Sequence, residues 1–239
     1  MKKLFAFVAV MLIFTASYAQ HGRRSNWLTI AVKGGYGNSI MFCPATSDTE
    51  GFSYDYMSPS FCAGGRLGMI LADYLGISAE VLASGYQQKY TYNDAGKQNI
   101  DGTLKFSTTD IFLSLRYAGD YGFYAELGPK ISLVSKADRL DVNPNDVKEL
   151  FGDKFMSVAF GLGFMPHNGE KVQVSLGLRA AYCPKNFLEA QKNPYGINEV
   201  NTNTWEMKPF SAQAILEVNY FFATFGSATC GRQRIIFFP

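Results

Sequence analysis

Met156 to Tyr182 reads MSVAFGLGFMPHNGEKVQVSLGLRAAY, two alternating arms joined by one turn. In the first arm Met156, Val158, Phe160, Leu162 and Phe164 are apolar, and the residues between them, Ser157, Ala159, Gly161 and Gly163, are small. In the second, Val172, Val174, Leu176, Leu178, Ala180 and Tyr182 share one face, and Gln173, Ser175, Gly177 and Arg179 the other. A period of two belongs to strands; a helix would bring together residues three and four apart. Pro166-His167-Asn168-Gly169 supplies the turn chemistry, since Asn-Gly takes positive φ at little cost.

Which face meets water decides the fold. A soluble barrel would bury the bulky apolar face and cover its outside with Lys, Glu and Thr. Here the second face is mostly Gly, Ser and Ala, residues suited to the crowded axis of a narrow barrel. The apolar face therefore points into lipid, and each arm has about the 9 to 11 residues of a tilted transmembrane strand. The expected fold is all-β, an eight-stranded antiparallel up-and-down barrel in an outer membrane.

The N-terminus agrees. Lys2 and Lys3 precede an apolar run, Leu4 to Phe14, and Ser17-Tyr18-Ala19 offers small residues for cleavage, the pattern of a secretory signal peptide over residues 1–19. No later stretch approaches the roughly 18 continuous apolar residues of a membrane helix, so a spanning chain must use closed strands. One barrel domain is expected over residues 20–222, followed by a periplasmic tail over residues 223–239. A net charge of +2 with no Lys/Arg stripe argues against a nucleic-acid partner.

Further strands are expected from about Trp27 to Tyr36, Ser60 to Leu71, Tyr74 to Tyr90, Leu104 to Tyr117, Tyr121 to Ser135 and Phe210 to Phe222. Connections alternate long and short, so the short turns and both termini belong in the periplasm. Pro129 cannot donate to a ladder and predicts a bulge or missing hydrogen bond beside Gly128. Loop residues Asp146 to Phe151 suggest a helical turn capped by Asn145. Trp27, Tyr74, Tyr117, Tyr121, Phe164 and Tyr220 would form one interfacial aromatic girdle, and Tyr36, Phe61, Tyr90, Tyr182 and Phe210 the other.

Inward parity collects Lys33, Arg66, Arg116, Lys130 and Arg179 with Glu80, Asp110, Glu126 and Glu217. In an interior filled by side chains these predict a salt-bridge network that plugs the lumen, with an ion-conducting path as the alternative. The two histidines, His21 and His167, fall in the N-terminal arm and a periplasmic turn, away from the outer rim where a lipid-modifying enzyme would need its base. No catalytic group, cofactor or metal is expected. Asp141 to Asn145 starts like a calcium loop, but Asp146 stands where Gly is needed and Gly152 where Glu is needed. The paired glycines lack the Lys-Ser/Thr of phosphate loops.

Cys43, Cys62 and Cys183 lie on the outer side and Cys230 in the periplasm, allowing at most one disulfide, Cys43–Cys62 or Cys62–Cys183. Among the loop aromatics Tyr54, Tyr56, Phe187, Tyr195 and Trp205 suit contact with a protein or glycan, or equally the packing of loop on loop.

Thr109 to Tyr117 (TDIFLSLRY) and Phe123 to Pro129 (FYAELGP), with Glu80-Val81-Leu82 and Tyr86-Gln87 before them, resemble the PorT-like family of outer-membrane β-barrels. The resemblance implies the barrel fold and, for some relatives, a link to protein secretion; it implies no chemistry. The segment after Phe222 departs from that family, whose last strand ends on an aromatic residue. The expected function is a monomeric, non-catalytic barrel in contact with outer-membrane lipid, with a structural or interaction role accessory to secretion or surface attachment. A small transport pore and a lipid-modifying enzyme are the alternatives.

Overall fold

The structure, a computed structural model, describes residues 27–47, 51–55, 57–71, 74–94, 98–119, 122–141, 145–168, 171–188, 194–195, 206–227 and 233–237. The expected signal peptide, His21, Tyr56, Tyr121, the Gly169 of the predicted turn, Trp205 and Cys230 lie outside them.

The strands in chain order are β1 (Trp27–Phe42), β2 (Phe52–Asp55), β3 (Pro59–Ile70), β4 (Leu75–Asp94), β5 (Gln98–Ala118), β6 (Phe123–Leu140), β7 (Asn145–Asp146), β8 (Lys154–Asn168), β9 (Val172–Tyr182), β10 (Lys208–Ser227) and β11 (Gln233–Phe237). Neighbours pair antiparallel in the order β1-β3-β4-β5-β6-β8-β9-β10, and β10 pairs back onto β1, making a closed ring of eight. The closing register runs from Trp27↔Thr224 to Phe42↔Lys208. Closure matters because lipid offers no partner to an unpaired N–H or C=O, so an open sheet edge cannot sit in the bilayer.

Burial is inverted relative to a soluble barrel. Val32 is 74% exposed and Leu178 69%, and Leu67, Val81, Leu113, Leu127 and Val158 are exposed with them. The same strands bury charged side chains. That combination is stable only where the outside is hydrocarbon. The apolar band ends where outward positions change chemistry: on β5, Leu115, Leu113 and Ile111 give way to Thr109, Ser107 and Lys105, and on β4 Val81 and Ala83 give way to Gln87 and Lys89.

Beyond that line the strands continue further than the polar sequence suggested. β1 runs to Phe42 and is followed by a helical turn, Pro44–Ser47, while β2, inside the expected first loop, pairs with β4 from Phe52↔Tyr92 to Asp55↔Lys89. β4 runs to Asp94 and β5 begins at Gln98. They stay paired because their inner faces there, Tyr86, Tyr90, Leu104 and Phe106, are buried and apolar, whatever their outer faces carry. Tyr90 was expected in the outer girdle; it is 1% exposed, since it shares parity with Tyr86 and points inward. The girdle members Tyr36, Phe61, Tyr74, Tyr117, Phe164, Tyr182, Phe210 and Tyr220 are exposed.

Three local expectations meet the structure differently. Pairing of β5 with β6 lapses between Phe112↔Lys130 and Leu115↔Leu127, at Gly128-Pro129 as expected. The turn does not begin at Pro166: β8 continues to Asn168 across a register shift between Phe164 and His167, and the bulge accommodates a residue with no N–H to give. Asn145 caps nothing; it belongs to β7, and a 3₁₀ turn at Lys148–Leu150 is closed instead by Asp146, whose Oδ1 accepts the Lys148 N–H at 2.9 Å. At the opposite end, Gly122 takes φ +75° in the connection before β6, a conformation that a side chain resists. β10 extends past Phe222 to Ser227, and β11 folds back on it from Ala223↔Phe237 to Ser227↔Gln233.

Candidate functional site

Seven strands send a charged residue to the middle of the lumen: Lys33 (β1), Arg66 (β3), Glu80 (β4), Arg116 (β5), Glu126 (β6), Arg179 (β9) and Glu217 (β10), all buried. The ladder sets opposite charges side by side, with Lys33 across from Glu217, Arg66 from Glu80 and Arg116 from Glu126. The ion pairs also reach across the axis. Lys33 Nζ lies 2.6 Å from Glu80 Oε1, 2.7 Å from Glu217 Oε2 and 3.8 Å from Glu126 Oε2. Arg179 donates to Glu80 through Nη1 at 2.8 Å and Nη2 at 3.1 Å, and to Glu126 Oε1 through Nε at 2.8 Å and through Nη2. Glu217 Oε1 accepts from Arg66 Nη1 at 2.8 Å, Arg116 Nη1 at 2.6 Å and Asn219 Nδ2 at 2.7 Å.

One layer outward, Lys130 Nζ lies 2.9 Å from the Tyr86 hydroxyl and 3.4 Å from Asp110 Oδ2, and Thr108 donates to Asp110 Oδ1 at 2.8 Å. Aromatic faces complete the packing: the Arg116 guanidinium lies 4.0 Å from the Tyr124 ring centre and that of Arg179 4.4 Å from Phe112. The small residues read from the sequence are what admit these groups. A Cβ at Gly161 would stand 2.7 Å from Glu126 Cγ, and one at Gly177 would stand 2.2 Å from the Tyr124 hydroxyl. All nine charges expected in the lumen are thus brought together. Asn219, Ser175 and Tyr86, which complete the network, were missed as members because they are uncharged, although their strand parity put them on the same face.

Above the charges the lumen closes with an apolar cluster. Met41, Tyr86, Tyr90, Leu104, Phe106, Phe151, Phe155, Phe187, Tyr195 and Met207 form one buried group, hereafter the crown. Tyr195 stands edge-on to Tyr90 at 4.8 Å and to Phe52 at 5.1 Å, and Phe187 lies 4.7 Å from Phe155. For Phe187 and Tyr195, expected either as contacts for a partner or as loop packing, the structure shows packing: both are buried. Tyr54 is half-buried, hydrogen-bonded to Thr46 and donating to the Cys43 carbonyl at 3.3 Å. Burial pushes the Tyr54 phenol up from its usual range and Tyr195 well above it. Neither expected disulfide forms, since Cys62, common to both, is a buried thiol on the lumen side of β3. Among the described residues no group of three or more His, Cys, Asp or Glu is placed to hold a metal.

Residues 5–207 match the family described as outer membrane protein beta-barrel domain. The chain belongs to that family. It is an outer-membrane protein, crossing the bilayer with the strands described above. Three solved barrels are similar to it. Neisserial surface protein A (NspA) is 14% identical, over 82% of this chain and 97% of its own, with a TM-score of 0.40. Ail, the attachment invasion locus protein of Yersinia pestis, is 10% identical over 83% and 100%, also at 0.40. The outer membrane protein OprG from Pseudomonas aeruginosa is 11% identical over 84% and 97%, again at 0.40. No curated protein sequence matches significantly.

Proposed function

We propose that this outer-membrane barrel is non-catalytic and monomeric, and that it holds the exposed outer faces of its extracellular strand ends and loops, packed over the crown, for contact with a protein or glycan partner, in a structural role accessory to secretion or surface attachment. The observation that carries this reading is the filled interior: a buried ion network at the level of the membrane and a buried aromatic cluster above it. Such a body presents surfaces rather than a passage. Closure of β10 on β1 leaves no barrel edge for a second copy, which favours the monomer. His167, the only histidine among the described residues, is exposed at the short-turn end, far from a rim where an acyl chain would be processed. The link to secretion comes from the resemblance of Thr109 to Tyr117 and Phe123 to Pro129 to PorT-like barrels.

The test is crosslinking in intact outer membrane, with the full chain and with a variant whose β4–β5 hairpin is shortened between Gln87 and Lys105. The reading expects a partner captured by the full chain and lost on shortening. Capture that survives shortening would count against the extracellular strand ends as contact surface. A steady single-channel conductance in planar bilayers would replace the reading with a transport pore.

A further inference from the structure

The lumen is not electrically balanced. Among the described residues it buries five cations, Lys33, Arg66, Arg116, Lys130 and Arg179, against four carboxylates, Glu80, Asp110, Glu126 and Glu217. The excess has an address. Lys130 pairs with Asp110, Arg179 holds Glu80 and Glu126, and Lys33 bridges Glu80, Glu126 and Glu217 Oε2, whereas Arg66 and Arg116 have their close ion pairs on the single oxygen Oε1 of Glu217. Glu217 thus serves three buried cations, two of them guanidinium groups on one oxygen, and that end of the lumen is short of negative charge.

These two arginines also line a cavity. It measures about 70 Å³ and lies at the short-turn end, where apolar walls that include Met69, Leu75 and Met165 surround the polar groups of Thr29, Arg66, Arg116, Gln173 and Asn219. A single water requires roughly 10–15 Å³ by the same measure, so the space holds several waters or one tetrahedral anion. Arg66 is 8% exposed; its Nη1 donates to Glu217 and Asn219, and its Nε is buried without a hydrogen-bond partner, 4.0 Å from Glu80 Oε1. Gly68 keeps room for this guanidinium, since a Cβ there would stand 3.1 Å from Arg66 Nη2. Two buried guanidinium groups that share one carboxylate oxygen, beside a largely apolar recess with no carboxylate in its wall, are a donor arrangement that oxyanions fit.

We propose that the periplasm-facing cavity between Arg66 and Arg116 is a binding site for a small phosphate-type oxyanion. The anion offsets the excess positive charge and gives the Arg66 and Arg116 guanidinium groups a second acceptor besides Glu217. Its phosphate comes either from solution or from the headgroup of a lipid in the periplasmic leaflet; the recognition chemistry is shared.

The experiment measures thermal unfolding of the purified barrel in neutral detergent as inorganic phosphate is raised against sodium chloride at matched ionic strength. A saturable rise of the midpoint by a few degrees in phosphate, absent in chloride, is expected, because a ligand that binds only the folded state stabilises it. Arg66→Gln should still fold, since Glu217 retains Lys33 and Arg116, and should lose the phosphate response. Gln173→Glu places a carboxylate in the cavity; it should raise the midpoint without phosphate and abolish the response. Repeating the measurement in nanodiscs of phosphatidylglycerol and phosphatidylcholine, without free phosphate, separates the sources: a midpoint already raised and unresponsive in either lipid assigns the anion to the headgroup, and a full response in both assigns it to solution. No phosphate effect in detergent, an equal effect of chloride, a response that survives both substitutions, or a lower midpoint for Gln173→Glu would overturn the proposal.

Discussion

The belt within the membrane and the crown above it are built from the same strands by opposite rules. On β4, Glu80 points into the lumen while Val81 meets lipid; a few residues on, Tyr90 points inward while Lys89 is exposed. The crown is organised like the core of a soluble protein, with apolar side chains sequestered from water. The belt has its apolar surface supplied with a solvent by the bilayer, so its interior is left to groups that lipid would reject. Strand pairing is common to both and determines neither; what changes along a strand is the medium outside. In the crown, burying an aromatic side chain contributes about 1.5–3 kcal/mol. In the belt the ion pairs contribute little net stability once desolvation is counted, yet breaking one is costly.

The contrast can be broken by mutation. Glu217→Gln should have the largest effect, about 3–5 kcal/mol, because it leaves Lys33, Arg66 and Arg116 short of their shared carboxylate. It is read from the denaturant midpoint of the folded barrel, with the exposed Glu206→Gln as a control expected to be silent; equal shifts would mean that the network does not discriminate. Glu126→Gln should follow in the same direction, through Arg179.

Phe187→Ala should cost about 3–5 kcal/mol within the crown, the usual range for emptying a buried aromatic site. Its signature is local: faster proteolysis at the exposed Lys185 on intact cells, with the barrel's own midpoint held. A midpoint that falls as far as for Glu217→Gln would show belt and crown to be one cooperative unit.

Leu178→Arg, on the lipid face, should cost about 2–4 kcal/mol near mid-bilayer, whereas Ser107→Arg, outward on β5 above the apolar band, should be tolerated. Assembly yield in vesicles compares them, and equal yields would erase the boundary drawn between the two zones.

The smallest effect is in pH. Tyr54 and Tyr195 have phenol pKa values raised above 10.0 in the folded crown, chiefly by burial. Their unfolded counterparts ionise near 10, so the contribution to stability is full below that pH and is lost as pH climbs towards the raised folded values. Loop proteolysis should therefore accelerate above about pH 10, together with the appearance of tyrosinate absorbance; accelerated cleavage below pH 9 would point to another cause.

Much of the belt was legible because period-two alternation, small inward residues and apolar outward residues all report one local fact, the two faces of a strand. That is why Lys33, Arg66, Glu80, Asp110, Arg116, Glu126, Lys130, Arg179 and Glu217 could be assigned to the lumen by parity alone. The crown was not legible in the same way. Its members come from strand extensions and loops far apart in sequence, and a buried Tyr195 carries no local mark that separates it from an exposed one. Parity was available for Tyr90, but position at a strand end suggested a girdle, and the inward face prevailed because the strand runs past the membrane.

The sequence by itself determined that the chain makes membrane-crossing strands and which side of each faces the axis, since both follow from alternation within a few residues. Only the tertiary structure decided who meets whom across that axis: that two arginines fall on one oxygen of Glu217, that Lys33 lies within reach of three carboxylates, and that aromatic side chains from distant loops seal the outer end. Partnership of that kind depends on register around a closed ring, which is set by the pairing of all eight strands at once and is written in no single stretch of the chain.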